Sequence, residues 1–407
     1  MNPFALYVKL FGGGVSIDIG NEGNSAFDWS RRRFQVDPFR KGAAAAEPAR
    51  SAKEEALMTM QISDAATTGY SIIIPEETVA RAAGYLEELR VGRTQPGARL
   101  RDRLQGADLR AMTELELLGK LMDTKLPQIF AEKNVTGDGS DWSLTELGLL
   151  GDISIAAPVT IFDNGNHNAP TPHVPPFSGM LVFTPGALLR NGQGHTPADW
   201  NETTAPDSQL SAEGYYNFYR RRLLPVFRYI NDHAIKPRSA FVTVPGLGCG
   251  QFAGPFQGQL GGHLQAVLQR FLSEHGSSFP NLKAVYFDPY SECENSRREI
   301  HGISFMVRPL RLPGNEGKSQ LCRPVTYAEK TDDFSDCVLY SIVAWDHVSW
   351  PGNDFFIGSR ATDDGVKAAA TNSMSVLTGV EERMTPHAAS TSRRSPTPVG
   401  MQWSKIS

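Results

Sequence analysis

The chain has 407 residues, 40% of them hydrophobic and 21% charged, with 38 Gly and 27 Pro; this is the balance of a globular protein and excludes a collagen, a coiled coil or a disulfide scaffold. At roughly 150 residues per domain the length accommodates two to three domains. Forty basic against 44 acidic side chains leave a formal net charge of −4, so no cationic field suited to nucleic acid or to an anionic membrane is expected.

The longest nearly apolar run, around Val338 to Trp345, falls far short of the roughly 18 residues that span a bilayer. Phe4 to Phe11 is interrupted by Lys9 and no small-residue cleavage site follows it, so no secretory signal is expected. The four cysteines, Cys249, Cys293, Cys322 and Cys337, show no CxxC spacing and suit reduced thiols in a cytoplasmic setting.

In chain order, residues 1–60 mix a Gly triplet, an arginine run and an alanine run and read as a loosely ordered leader. Residues 61–148 read as a helical subdomain or cap. Pro75 opens a helix with Val79, Ala82, Ala83, Leu86 and Leu89 on one face, and a second helix carries Leu115, Leu118, Leu121 and Met122. Residues 149–380 alternate short β-branched runs with helical patterns, the signature of an α/β domain whose mixed sheet is covered by helices on both faces. Strands are expected at Val159 to Phe162, Gly179 to Thr184, Ala240 to Val244, Ala284 to Phe287, Ile303 to Val307 and Val338 to Trp345. Helices are expected at Glu213 to His233 and His263 to His275, the latter stopped by Gly276. Residues 381–407, rich in Ser, Thr, Pro and Arg, read as a disordered tail.

In α/β sheets ligands bind beyond the carboxyl ends of strands, and two loops there could carry chemistry. After Val244 come Pro245, Gly246, Leu247, Gly248, Cys249, Gly250, Gln251, Phe252, Ala253 and Gly254. Such a loop can fold tightly and turn backbone N–H groups toward an anion, or it can be a plain glycine turn. A dinucleotide fold is disfavoured because the next helix starts near Gly261 and the following strand's acid, Asp288, lies too far on. Gly314 to Ser319 mimics a P-loop ending with the wrong glycine spacing.

The second loop follows Trp345 and carries Asp346, Asp354, Asp363 and Asp364, with Thr362 as a helix N-cap. Asp363 and Asp364 could merely cap that helix and Asp354 merely make a turn. Beside an anion-binding glycine loop, however, an acid cluster suits a ligand with phosphates and a sugar. Carboxylates accept from ribose hydroxyls and can orient a water for attack on an anomeric carbon.

At these residues the chain resembles the macrodomain superfamily of ADP-ribose binders and hydrolases, and within it the divergent MavL-like branch. Val244 to Gly250 looks like the loop that cradles the diphosphate. Asn353, Asp354, Phe355, Phe356, Ile357, Gly358, Ser359 and Arg360, followed by Asp363, Asp364, Gly365 and Val366, look like the loop that wraps the distal ribose. The resemblance implies a macrodomain-like fold and removal of ADP-ribose from modified protein side chains, arginine first and ubiquitin among the substrates. Asp346, Asp354 and Asp364 would form the working cluster. Gly151-Asp152-Ile153-Ser154 is similar to a macrodomain entry whose acid flanks adenine, which would place Asp152 in the site. Two departures stand out: the diphosphate loop precedes the ribose loop, and the ribose loop lacks the Gly triplet and paired glutamates of poly(ADP-ribose) glycohydrolases.

The resulting expectation is a monomeric ADP-ribosyl hydrolase without a cofactor, acting in a cytoplasm or, as a bacterial effector, in a host cytosol. A non-catalytic ADP-ribose reader is the main rival. A Mg²⁺-assisted hydrolase using Asp363 and Asp364 ranks below both, and a scaffold without ADP-ribose affinity completes the alternatives. His167, His173 and His195 read as loop residues rather than zinc ligands. Asp163, Asn164 and Asn166 end a strand and could reach the ligand. Phe252 and Phe256 could stack on it, and Cys249 reads as a packing residue rather than a nucleophile.

Overall fold

The computed structural model describes residues 7–11, 14–19, 69–234 and 238–378. The reading of 381–407 as a tail lies outside them, as does most of the 1–60 leader. Ten strands form one sheet among the described residues: β1 (Tyr7–Phe11), β2 (Gly14–Ile19), β3 (Tyr70–Pro75), β4 (Ser154–Asp163), β5 (Pro172–Pro185), β6 (Ser239–Pro245), β7 (Leu282–Asp288), β8 (Ser296–Ile300), β9 (Ile303–Val307) and β10 (Cys337–Trp345), ordered β1-β2-β3-β4-β5-β10-β6-β7-β9-β8. The block β5-β10-β6-β7-β9 is parallel, whereas β1 to β5 run antiparallel to one another and β8 to β9. The sheet is therefore mixed, as expected.

Side chains alternate across the sheet with period two. Ile155, Phe183, Phe241, Tyr286 and Val343 enter one apolar cluster with helices Glu76–Arg90, Glu114–Met122 and Leu144–Gly151. Ala156, Val182, Val242, Val285 and Ile342 enter another with helices Ala212–His233 and Leu260–His275. Helices thus cover both faces. Capping boxes at Thr113/Glu116 and Ser143/Glu146 fix two helix starts.

All six expected strands form. The helix ends at His275 with Gly276 as its C-cap, as expected; the φ of −58° there is right-handed, and the chain tightens into a 3₁₀ turn, Gly276–Ser278. Parallel pairing brings the carboxyl ends of β5, β10, β6 and β7 to one edge, with Trp345 opposite Pro185 and Pro245 opposite Asp288. The glycine loop and the acid loop both leave the sheet there. No helix among the described residues is long and apolar enough to cross a membrane.

Candidate ADP-ribose site

The glycine loop folds on itself directly after β6. Leu247 N–H donates to Pro245 O at 2.8 Å and Cys249 N–H to Gly246 O at 3.0 Å. Gly248 has a φ of +74°, and a Cβ there would lie 2.9 Å from Ala187 N and O, so both conformation and space demand glycine. Tyr219 Oη donates to Leu247 O at 2.7 Å and accepts from Ala187 N–H at 3.0 Å, pinning the loop to the segment after β5. Leu247 itself is fully buried. Around Gly250 a Cβ would meet nothing within 4 Å, so this position faces open space. Burial pushes the Cys249 thiol well above its usual range, which disfavours a thiolate nucleophile and agrees with the packing role.

The acid loop is organised around Asn353. Asp346, one residue past β10, accepts at Oδ1 from Val348 and Ser349 N–H (2.8 and 2.6 Å) and at Oδ2 from Asn353 Nδ2 (3.1 Å). Asp364 accepts from Gly352 N–H at 2.7 Å and from Asn353 N–H at 3.0 Å. One asparagine therefore holds two carboxyls. Asp364 is 4% exposed, and its burial, with the Asp346 and Asp363 charges adding, outweighs these bonds and pushes it up to about 8. At neutral pH it holds a proton.

Asp363 is the first residue of the helix Asp363–Ala369, whose N-cap is Thr362. Its Oδ2 accepts from Ala344 N–H at 2.7 Å and from Lys367 Nζ at 3.0 Å. Lys367 Nζ also donates to Gln320 Oε1 at 2.7 Å, and Gln320 Nε2 donates to Asp288 at 3.2 Å. Burial lowers the Lys367 ammonium and raises the Asp288 carboxyl.

A cavity of about 620 Å³ opens between the loops, within the roughly 300–1,000 Å³ of small-molecule sites. Of the residues read from sequence as catalytic or ligand-binding, Gly246, Gly248, Cys249, Gly250, Gln251, Phe252, Asp346, Asn353, Asp363 and Asp364 line it. His167 lines it too, its ring Nδ1 3.0 Å from Arg360 O. Glu132, Asp288 and Ser319 line it without having been singled out as site residues. Among the described residues, five that line the cavity carry buried polar atoms with no partner in the chain: Glu132 Oε2, Ser319 Oγ, Trp345 Nε1, Asn353 Oδ1 and Arg360 Nε.

Other expected site residues stand elsewhere. Asp152 is 1% exposed and ion-paired to Arg81, Arg221 and Arg222, with Thr78 Oγ1 donating to it. It lies in a buried ion network rather than against the cavity, which corrects its placement beside a base. Arg222 continues the network to Asp199 (3.1 Å), and Asp199 to His347 Nε2 (2.9 Å), so the network anchors the residue next to Asp346. Asp354 does not line the cavity either. Its Oδ2 accepts from Thr362 N–H, and a Cβ on Gly365 would fall 2.3 Å from Asp354 Cβ. These two residues hold the acid loop against its helix. Phe355 and Phe356 pack edge to face at 6.2 Å outside the lining, and Gly358 supplies a left-handed turn with a φ of +70°. Phe256 stacks on Trp200 at 5.7 Å, whereas Phe252 lines the cavity beside Phe130, Tyr290 and Trp345.

Among the described residues no three His, Cys, Asp or Glu side chains are placed to hold a metal ion. No curated protein matches the chain. The family model described as "Macrodomain effector MavL" matches residues 70–396, a span that includes the sheet from β3 onward, the glycine loop and the acid loop. The chain belongs to the MavL macrodomain effector family, with the ADP-ribose-related function of a macrodomain.

Proposed function

We propose that the protein is a hydrolase that removes ADP-ribose from modified protein side chains, arginine first among them and ubiquitin among the carriers. The observation that carries the reading is the convergence of the glycine loop and the Asn353-linked acids Asp346 and Asp364 on one cavity. The glycine loop offers backbone donors to the diphosphate. Asp346, with three N–H donors fixing its carboxylate, accepts a proton from the attacking water. Asp364, protonated at neutral pH, donates to a distal ribose oxygen, and the unpartnered Asn353 Oδ1 accepts from a ribose hydroxyl. Asp354 works through the loop and not on the ligand.

A metal-independent mechanism is favoured because Asp363 and Asp364 already engage backbone N–H groups and Lys367. We further propose a monomer acting in a cytosol. The test is incubation with a mono-ADP-ribosylated arginine protein, with mass spectrometry of the product, beside calorimetry with free ADP-ribose. Release of ADP-ribose supports the hydrolase; binding without release overturns it in favour of a reader.

A further inference from the structure

Glu132 belongs to a short helix, Ala131–Asn134, distant in sequence from both loops. The chain around it is tied to the acid loop: Leu126 N–H donates to Val348 O and Trp350 N–H to Leu126 O, both at 2.9 Å, and Asn353 Nδ2 donates to Ile129 O at 2.5 Å. From the other side Gly192 N–H donates to Glu132 O at 2.7 Å. These bonds fix the backbone of residue 132 over the Asp346 end of the cavity.

The Glu132 side chain is 2% exposed, lines the cavity, and its Oε2 is buried without a hydrogen-bond partner. Leaving such an oxygen unmatched is costly, and few native buried groups are left so. A ligand atom in the cavity would satisfy it. Burial is the largest influence on its carboxyl and pushes it up; its own backbone N–H opposes this, the Asp346 charge adds to the rise, and Lys133 and Arg190 pull the other way.

Building on the hydrolase reading above, we propose that Glu132 is a catalytic acid of the site, its carboxyl proton going to the leaving atom of the modified side chain. In the step, the bond from the anomeric carbon to the side-chain atom breaks and its electron pair stays on that atom, which takes the proton from Glu132. The water oxygen bonds to the anomeric carbon and its proton goes to Asp346. Proton transfer from Asp346 to Glu132 restores the starting state, so no external reactant beyond water is consumed.

Glu132→Gln keeps the size and polarity of the side chain and removes only the transferable proton. Wild type and this variant are compared in calorimetry with free ADP-ribose and in single-turnover release from an ADP-ribosylated arginine peptide between pH 5 and 10. The variant is expected to bind ADP-ribose within about threefold of wild type, to release it about 100-fold more slowly, and to keep only the alkaline fall that Asp364 sets. A variant that releases at the wild-type rate with the wild-type profile overturns the role of Glu132 and leaves the hydrolase reading standing. Wild type that neither binds nor releases overturns the hydrolase reading and this inference with it. Should Glu132→Gln lower Tm, Glu132→Asp is measured beside it; recovery of release in Glu132→Asp at the same lowered Tm supports proton donation, and release as slow as in Glu132→Gln overturns it.

Discussion

Asn353 donates its carboxamide N–H to Asp346 at 3.1 Å, and its own backbone N–H goes to Asp364 at 3.0 Å. Two of the acids that line the cavity are thus set by one residue between them, and each can be removed without unmaking the other's backbone bonds. Asp346→Asn and Asp364→Asn are each expected to cut release of ADP-ribose by about 100-fold or more while circular dichroism stays close to wild type. Unchanged release in both would remove the acids from the site.

Asp152 makes the opposite prediction. Its loss leaves Arg222 and Arg221, both buried, without their shared carboxylate, a change that costs about 3–5 kcal/mol. Asp152→Ala should unfold at markedly lower denaturant, yet its folded fraction should bind ADP-ribose as wild type does. Wild-type stability with weakened binding would return Asp152 to the ligand.

Asp354 acts on loop shape. Asp354→Ala removes the acceptor for Thr362 N–H and should lower both turnover and Tm, whereas Asp354→Asn keeps an oxygen there and should retain more of each. Gly365→Ala forces a methyl into Asp354 and should cost about 1–3 kcal/mol. Equal loss in Asp354→Ala and Asp354→Asn, at unchanged Tm, would instead give Asp354 a direct chemical role.

The pH dependence follows from Asp364, whose carboxyl is raised from its ordinary range to about 8. A raised acid favours the folded state while protonated, so its contribution is intact below about 4 and is lost as pH rises through about 8. The Tm difference between Asp364→Asn and wild type should grow across that window and level off above it. Wild-type affinity for ADP-ribose should fall through the same pH, because ionised Asp364 can no longer donate and repels the diphosphate. A flat profile in both would place its proton elsewhere.

The parts of the site carried by contiguous loops were legible in the sequence. Gly246 to Phe252 and Asp346 to Asp364 each follow a strand whose apolar run is plain, and parallel pairing brings such loops together without further information. Residues reaching the cavity by tertiary packing were not legible. Glu132 sits on one short helix with no neighbouring motif, and Ser319 and Asp288 join the lining from outside both loops. Asp152 misled because a short match cannot distinguish an acid facing a ligand from one facing Arg222. In the fold, β3 is buried at all six positions, so it shows no alternation and merges with the helical pattern that Pro75 opens. The edge strand β8, Ser296–Ile300, carries Arg297, Arg298 and Glu299 and reads as a loop, as charged edge strands do.

The central claim is that the cavity between the glycine and acid loops takes ADP-ribose with its diphosphate against Gly250, where a side chain would project into open space. Calorimetric titration of wild type and Gly250→Glu with free ADP-ribose tests it most directly. Saturable one-to-one binding by wild type, lost in Gly250→Glu at unchanged Tm, is the predicted result; no binding by wild type, or equal binding by both, would contradict it.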